Sequence, residues 1–122
     1  MKAKQTRRTN SCHYACAVEA ALDVIGNKWK GVILFHLLDG TKRFNELKRL
    51  IPSTTQRMLT LQLRQLEKDD VINRTVYPQV PPKVEYSLTP FGQKLKPLLF
   101  SLREWGALVM KRHSGNNTRQ LC

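Results

Sequence analysis

The stretch Ser53–Tyr77, "STTQRMLTLQLRQLEKDDVINRTVY", changes its periodicity once, and that change decides the fold. From residue 56 to residue 69 the residues Leu59, Leu63 and Leu66 recur at spacings of four and three, which is one stripe of an α-helix. Thr55 stands just before the run as an N-cap candidate, its hydroxyl able to accept a backbone N–H that the first turn leaves unpaired. After Asp70 polar and apolar residues alternate, in "VINRTVY" and again in "KVEYSL", where Val84, Tyr86 and Leu88 oppose Lys83, Glu85 and Ser87. Period two is the pattern of strands with one covered face. The intervening "PQVPP" forbids helix, so the two runs read as a hairpin with a proline-stiffened tip.

Upstream, "NELKRLI" (Asn45–Ile51) has Asn45 as a cap, a stripe of Leu47, Leu50 and Ile51, and Pro52 as its stop. A short helix followed by a longer one across a four-residue joint is the outline of a helix-turn-helix. Before it, residues 28–38 are apolar nearly all round, as in a central core helix, and "DGTKRF" breaks that helix and allows a short strand near Thr41–Phe44. A first helix covers residues 16–26, with Val18, Leu22 and Ile25 at helical spacing and Gly26 as its stop. Downstream, Thr89 and Pro90 suit the cap and first turn of one long helix running to about His113. Its apolar residues Phe91, Leu95, Leu98, Leu102, Trp105 and Val109 are spaced 4, 3, 4, 3, 4. The expected architecture is mainly α with a small β hairpin, a winged helix-turn-helix over residues 16–113. A basic arm (1–15) precedes it and a polar tail (114–122) follows.

A chain of 122 residues supports one core and not two. Its 21 lysines and arginines against 9 acidic residues give a formal charge of +12, which points to a polyanionic partner, nucleic acid before an anionic membrane surface. The longest apolar run, "GVILFHLL", is too short to span a bilayer, and no apolar segment follows the basic N-terminus as a secretory signal requires. A cytoplasmic location is expected. Three cysteines, Cys12, Cys16 and Cys122, are too few and odd in number for a disulfide framework, so they read as thiols.

On a helical wheel with Leu59 at the core, Arg57, Arg64 and Lys68 fall roughly 140° to 180° away, with Leu61 beside them and Thr60 at the margin. The outer face is therefore cationic, and only Glu67 is acidic between Gln56 and Lys68. Arginine pairs bidentately with guanine O6/N7, threonine and glutamine serve base edges or phosphates, and a leucine touches a thymine methyl. Gln56 and Thr55, at the helix start, lie where such helices approach base edges. Arg43 belongs to the neighbouring phosphate-binding cations, while Arg74 and Lys83 on the wing strands suit a minor groove or its backbone. An ordinary solvated helix face is the plain alternative for the same residues.

The C-terminal stripe has two readings, packing on the chain's own core or a dimer seam. The seam is favoured because Leu99, Leu108 and Met110 add more apolar surface than one small domain covers. Two-fold symmetry would then present two recognition helices to a pseudo-palindromic site on double-stranded DNA.

Cys16 stands at the head of the first helix, where the positive end of the helix dipole favours thiolate; Glu19 in the same turn opposes this. The alternatives are a small apolar filler and, through "CHYAC", a weak metal-ligand cluster with no matching pair elsewhere. Nothing in the sequence supplies the pocket and oxyanion hole that a thiol enzyme needs, and neither a metal nor a cofactor is expected.

Taken together, "GNKWKGVILFHLLDGTKRFNEL", "QRMLTLQLRQLE", "PPKVEYSLTPFG" and "LREWG" resemble, in order and spacing, the HxlR-type family of bacterial, MarR-like winged-helix regulators. That resemblance implies a homodimeric DNA-binding transcription factor. Its first and last helices build the dimer, here through Val18 and Leu22 with Leu95, Leu98, Leu102, Trp105 and Val109. It also implies that several members answer small electrophiles through a cysteine at the position of Cys16; in this chain Cys12 or Cys122 is then a candidate intersubunit resolving thiol. The sequence departs from the family pattern at Ala17, where proline is usual, and at Asp70, where glycine is usual. The rival expectation is a non-sensing or architectural nucleic-acid-binding protein built on the same fold.

Overall fold

The computed structural model describes residues 15–114. The expectations for the basic arm before residue 15, for Cys12 and Cys122, and for the tail beyond Ser114 lie outside the described residues. Two helices open the fold, α1 (Ala17–Ile25) and α2 (Lys28–Leu37). Asn27 caps α2, its Oδ1 accepting the Trp29 N–H at 2.8 Å. A two-residue strand β1 (Lys42–Arg43) leads into α3 (Phe44–Leu50), and a joint of four residues (52–55) separates Ile51 from α4 (Gln56–Lys68). Strands β2 (Ile72–Tyr77) and β3 (Lys83–Leu88) form the wing, followed by α5 (Pro90–Gln93) and α6 (Lys96–Ser114). The sheet is antiparallel throughout, in the order β1-β3-β2, with Ile72 opposite Leu88 and Lys42 opposite Tyr86. This is a winged helix-turn-helix, mostly helical around one small sheet.

The core is where the apolar stripes meet. Ile33, Leu34 and Leu37 of α2, Leu47 of α3, and Leu59, Leu63 and Leu66 of α4 are all buried, with Ile72, Tyr86 and Leu88 closing the sheet side. Helix α2 packs on α1, α3, α4, α6 and β3, which explains why its sequence is apolar nearly all round. Burial pushes the His36 imidazole below its ordinary range against the opposing pull of the Asp39 carboxylate, as fits a histidine packed edge-on against Phe35.

Three local expectations are corrected. Asn45 does not cap α3; the helix starts two residues earlier, with Arg43 at the N-cap and the Glu46 carboxylate accepting the Arg43 N–H at 2.8 Å. The alternation in "VINRTVY" does not become alternating burial, because β2 is an edge strand and only Ile72 at its start is covered. The long C-terminal helix is two helices. Pro97 lacks the N–H that would bond the Gln93 carbonyl, and its ring would strike that carbonyl in a continuous helix. The chain instead tightens through Lys94 N–H to Phe91 O and Leu95 N–H to Gly92 O, then restarts.

The joint between α4 and the wing is built from backbone. Asp70 takes the left-handed conformation (φ 62°), with its N–H on Glu67 O at 3.0 Å and the Val71 N–H on Leu66 O at 3.1 Å. That pair of bonds is a Schellman motif, completed by the buried side chains of Val71 and Leu66. Thr89 ties the other end of the hairpin to it, donating its hydroxyl to Asp70 O (2.8 Å) and accepting the Gly92 N–H (2.9 Å). A Cβ on Gly92 would run into the Val71 carbonyl, so only glycine fits there. The Asp70→Gly variant is expected to be more stable by about 0.5 to 1 kcal/mol, because glycine holds the left-handed region without a Cβ clash. Urea denaturation measures it, and an unchanged or lower midpoint would show that the Asp70 side chain contributes stability of its own.

Candidate nucleic-acid interface

Helix α4 is held at both ends and along one side. Thr55 Oγ1 accepts the Met58 N–H at 3.0 Å, the Schellman turn closes the far end, and Leu59, Leu63 and Leu66 anchor the inner face. Gln62 is buried as well, its amide nitrogen on Met58 Sδ at 3.0 Å. What remains outside is a single surface. Thr55, Gln56, Arg57, Thr60, Leu61 and Arg64 line a shallow depression of about 590 Å³. The structure therefore brings these six expected residues together, while Lys68, also expected on the outer face, is exposed at the last position of the helix and outside the depression. It also adds a detail: the Thr60 hydroxyl donates to Gln56 O at 2.9 Å, so its proton is engaged by its own helix.

The other three cations are more scattered. Arg43 is exposed at the end of β1, opposite Glu85 in the sheet. Arg74 is exposed on β2 opposite Tyr86. Lys83 is half-buried, with its ammonium 3.4 Å from Glu85 Oε2 and 4.9 Å from the centre of the Tyr77 ring, so part of its charge is spent inside the wing.

Exposed apolar residues also occur on α1 and α6. Val18 and Leu22 of α1 and Leu98, Leu102, Trp105 and Leu108 of α6 are exposed apolar side chains. Beside them, a mostly apolar groove of about 530 Å³ runs between α2 and α6, past Val32, Phe35, Leu102, Trp105 and Val109. Of the other residues expected on a seam, Leu95 packs against the core and Val109, half-buried, lines this groove. Leu99, expected among the surplus apolar residues, is 2% exposed and belongs to the core. Cys16 is exposed at the N-cap of α1, in extended backbone, and its side chain caps nothing. Among the described residues, the helix it heads is buried only at Ile25. Glu19 serves the helix start, its Oε1 accepting the Ala15 N–H at 2.6 Å.

Residues 24–114 match the model of the HxlR-like helix-turn-helix family. The chain belongs to that family. YdeP of Bacillus subtilis (strain 168), an HTH-type transcriptional regulator, is 64% identical over 91 residues, 75% of this chain and 71% of YdeP. The oxidized form of the redox regulator HypR is similar with a TM-score of 0.72 and 63% identity over 75% of this chain and 94% of HypR. Its reduced form gives a TM-score of 0.74 and 59% identity over 80% and 94%. This HxlR-like chain is thus a helix-turn-helix transcriptional regulator, a DNA-binding class and not a class of enzymes. Cys16 precedes the span matched by the family model.

Among the described residues no helix of this HxlR-like protein is long and apolar enough to cross a membrane, and no three His, Cys, Asp or Glu side chains are grouped to hold a metal. The "CHYAC" cluster includes Cys12 and His13, which lie outside the described residues. Sequence reading missed the α2–α6 groove. Its signal, Gly31 and Gly106 on facing helices with Phe35 and Trp105 beside them, is visible only once the two helices are known to pack.

Proposed function

We propose that this protein is a cytoplasmic homodimeric regulator that binds a pseudo-palindromic operator and changes its operator affinity when Cys16 is modified by a thiol-reactive electrophile. The observation that carries the DNA-binding part is the segregation of α4: its leucines are inside, while Gln56, Arg57, Leu61 and Arg64 share one exposed face. Arg43, Arg74 and Lys83 supply phosphate or minor-groove contacts around it. The exposed apolar residues of α1 and α6 supply the seam that pairs two such faces, namely Val18, Leu22, Leu98, Leu102 and Trp105.

The sensing part is supported by the position of Cys16: exposed, at the N-cap of a helix that is itself part of the proposed seam. An adduct there pushes α1 against α6 of the dimer and alters the separation of the two recognition helices. Against a fixed half-site spacing of about 34 Å, a shift of a few ångströms changes operator fit. The similarity to a redox regulator studied in two redox forms supports the same reading.

The test is capture of intergenic DNA fragments from the source genome, with the protein first reduced and then treated with a quinone or diamide. Retention of a few palindromic fragments, altered by treatment, is expected. The Cys16→Ser protein should retain the same fragments and lose the response. A response that survives in Cys16→Ser removes this cysteine from the mechanism, and unselective retention favours an architectural protein.

A further inference from the structure

Helix α4 has five leucine or methionine side chains, and four of them face inward or lie at the boundary: Leu59, Leu63 and Leu66 are buried and Met58 is half-buried. Leu61 is the exception, 44% exposed in the middle of the cationic face. Arg57 precedes it by four residues and Arg64 follows by three, so both are its neighbours on the helix surface. Thr60, next to it, has its hydroxyl proton committed to Gln56 O at 2.9 Å. Between two arginines, then, the helix presents carbon.

We infer that Leu61 is a specificity-determining residue, seating on the C5 methyl of a thymine that lies between guanines read by Arg57 and Arg64. The inference rests on the DNA-binding reading above and deepens it. Of the four bases only thymine carries a methyl in the major groove, and an exposed leucine gains from an apolar surface and nothing from a hydrogen-bonding edge. The seven steps from Arg57 to Arg64 span about 10.5 Å of helix axis, well over the base-pair rise of about 3.4 Å, so the two arginines reach different base pairs. Leu61 falls within that interval.

The test is selection of randomised duplexes by the full-length protein from two pools, one synthesised with dTTP and the other with dUTP, which lacks the methyl. The thymine pool is expected to yield a half-site with thymine between guanines. Replacing that one thymine by deoxyuridine should weaken binding roughly threefold to tenfold. The Leu61→Ala protein should bind the thymine and deoxyuridine duplexes with equal affinity; because Leu61 lies outside the core, the variant keeps its fold, checked by circular dichroism. If an operator is selected but wild type does not distinguish thymine from deoxyuridine, or Leu61→Ala still does, the inference is overturned while the regulator reading stands. If neither pool yields any preferred sequence, both are overturned.

Discussion

Replacing Arg57 or Arg64 by alanine is expected to weaken operator binding by about 1 to 3 kcal/mol each, and the double replacement by about the sum. The expectation follows from α4: both guanidinium groups project from a face whose opposite side is locked by Leu59, Leu63 and Leu66, so the variants lose contacts without losing the helix. The two arginines are seven positions apart, which places them at different bases and makes their losses nearly additive. Titration of operator and random duplexes at several salt concentrations separates the two possible roles. A base-reading arginine loses operator affinity and leaves random DNA almost unchanged. A phosphate-gripping arginine weakens both alike and lowers the salt slope by about one ion. Equal losses on both duplexes would reject base reading.

Leu99→Ala and Leu102→Ala, three positions apart on α6, are expected to fail in different ways. Leu99 is 2% exposed and sits in the common core with α2, so its truncation leaves a cavity and costs about 2 to 5 kcal/mol of folding stability. Leu102 is 47% exposed on the proposed seam, so its truncation should leave the folded chain intact and raise the dimer dissociation constant. Denaturation followed at several protein concentrations, with sedimentation equilibrium, distinguishes them. A Leu102→Ala protein with wild-type association would take this residue out of the seam. A Leu99→Ala protein as stable as wild type would mean that α6 does not dock on the core as described.

Those two residues also mark the limit of sequence reading here. A spacing of 4, 3, 4, 3 identifies one stripe from Phe91 to Val109, but it presumes an unbroken helix. Pro97 interrupts it, the register restarts at Lys96, and Leu95 and Leu99 turn to the core while Leu98, Leu102 and Trp105 stay outside. The proline was legible; which side of the break each leucine would face was not, because that depends on where α5 is anchored. The anchor is Thr89 on Asp70, a contact across 19 residues of sequence. Cys16 is a similar case. Its place at the start of α1 could be read from the chain, whereas the exposure of that helix, of which Ile25 is the buried residue, depends on how little of α1 the packing on α2 covers.

The helix-turn-helix, the wing and the outer face of α4 were legible in the chain, since each is a local pattern: a cap at Thr55, a leucine stripe, a period-two hairpin. Periodicity and turn chemistry act within one or two turns of chain, so they are visible in one dimension. Only the packing of distant elements made β2 a bare edge and opened a groove between α2 and α6. Burial and pairing are properties of the neighbours a side chain meets, and those neighbours are fixed only when distant elements pack.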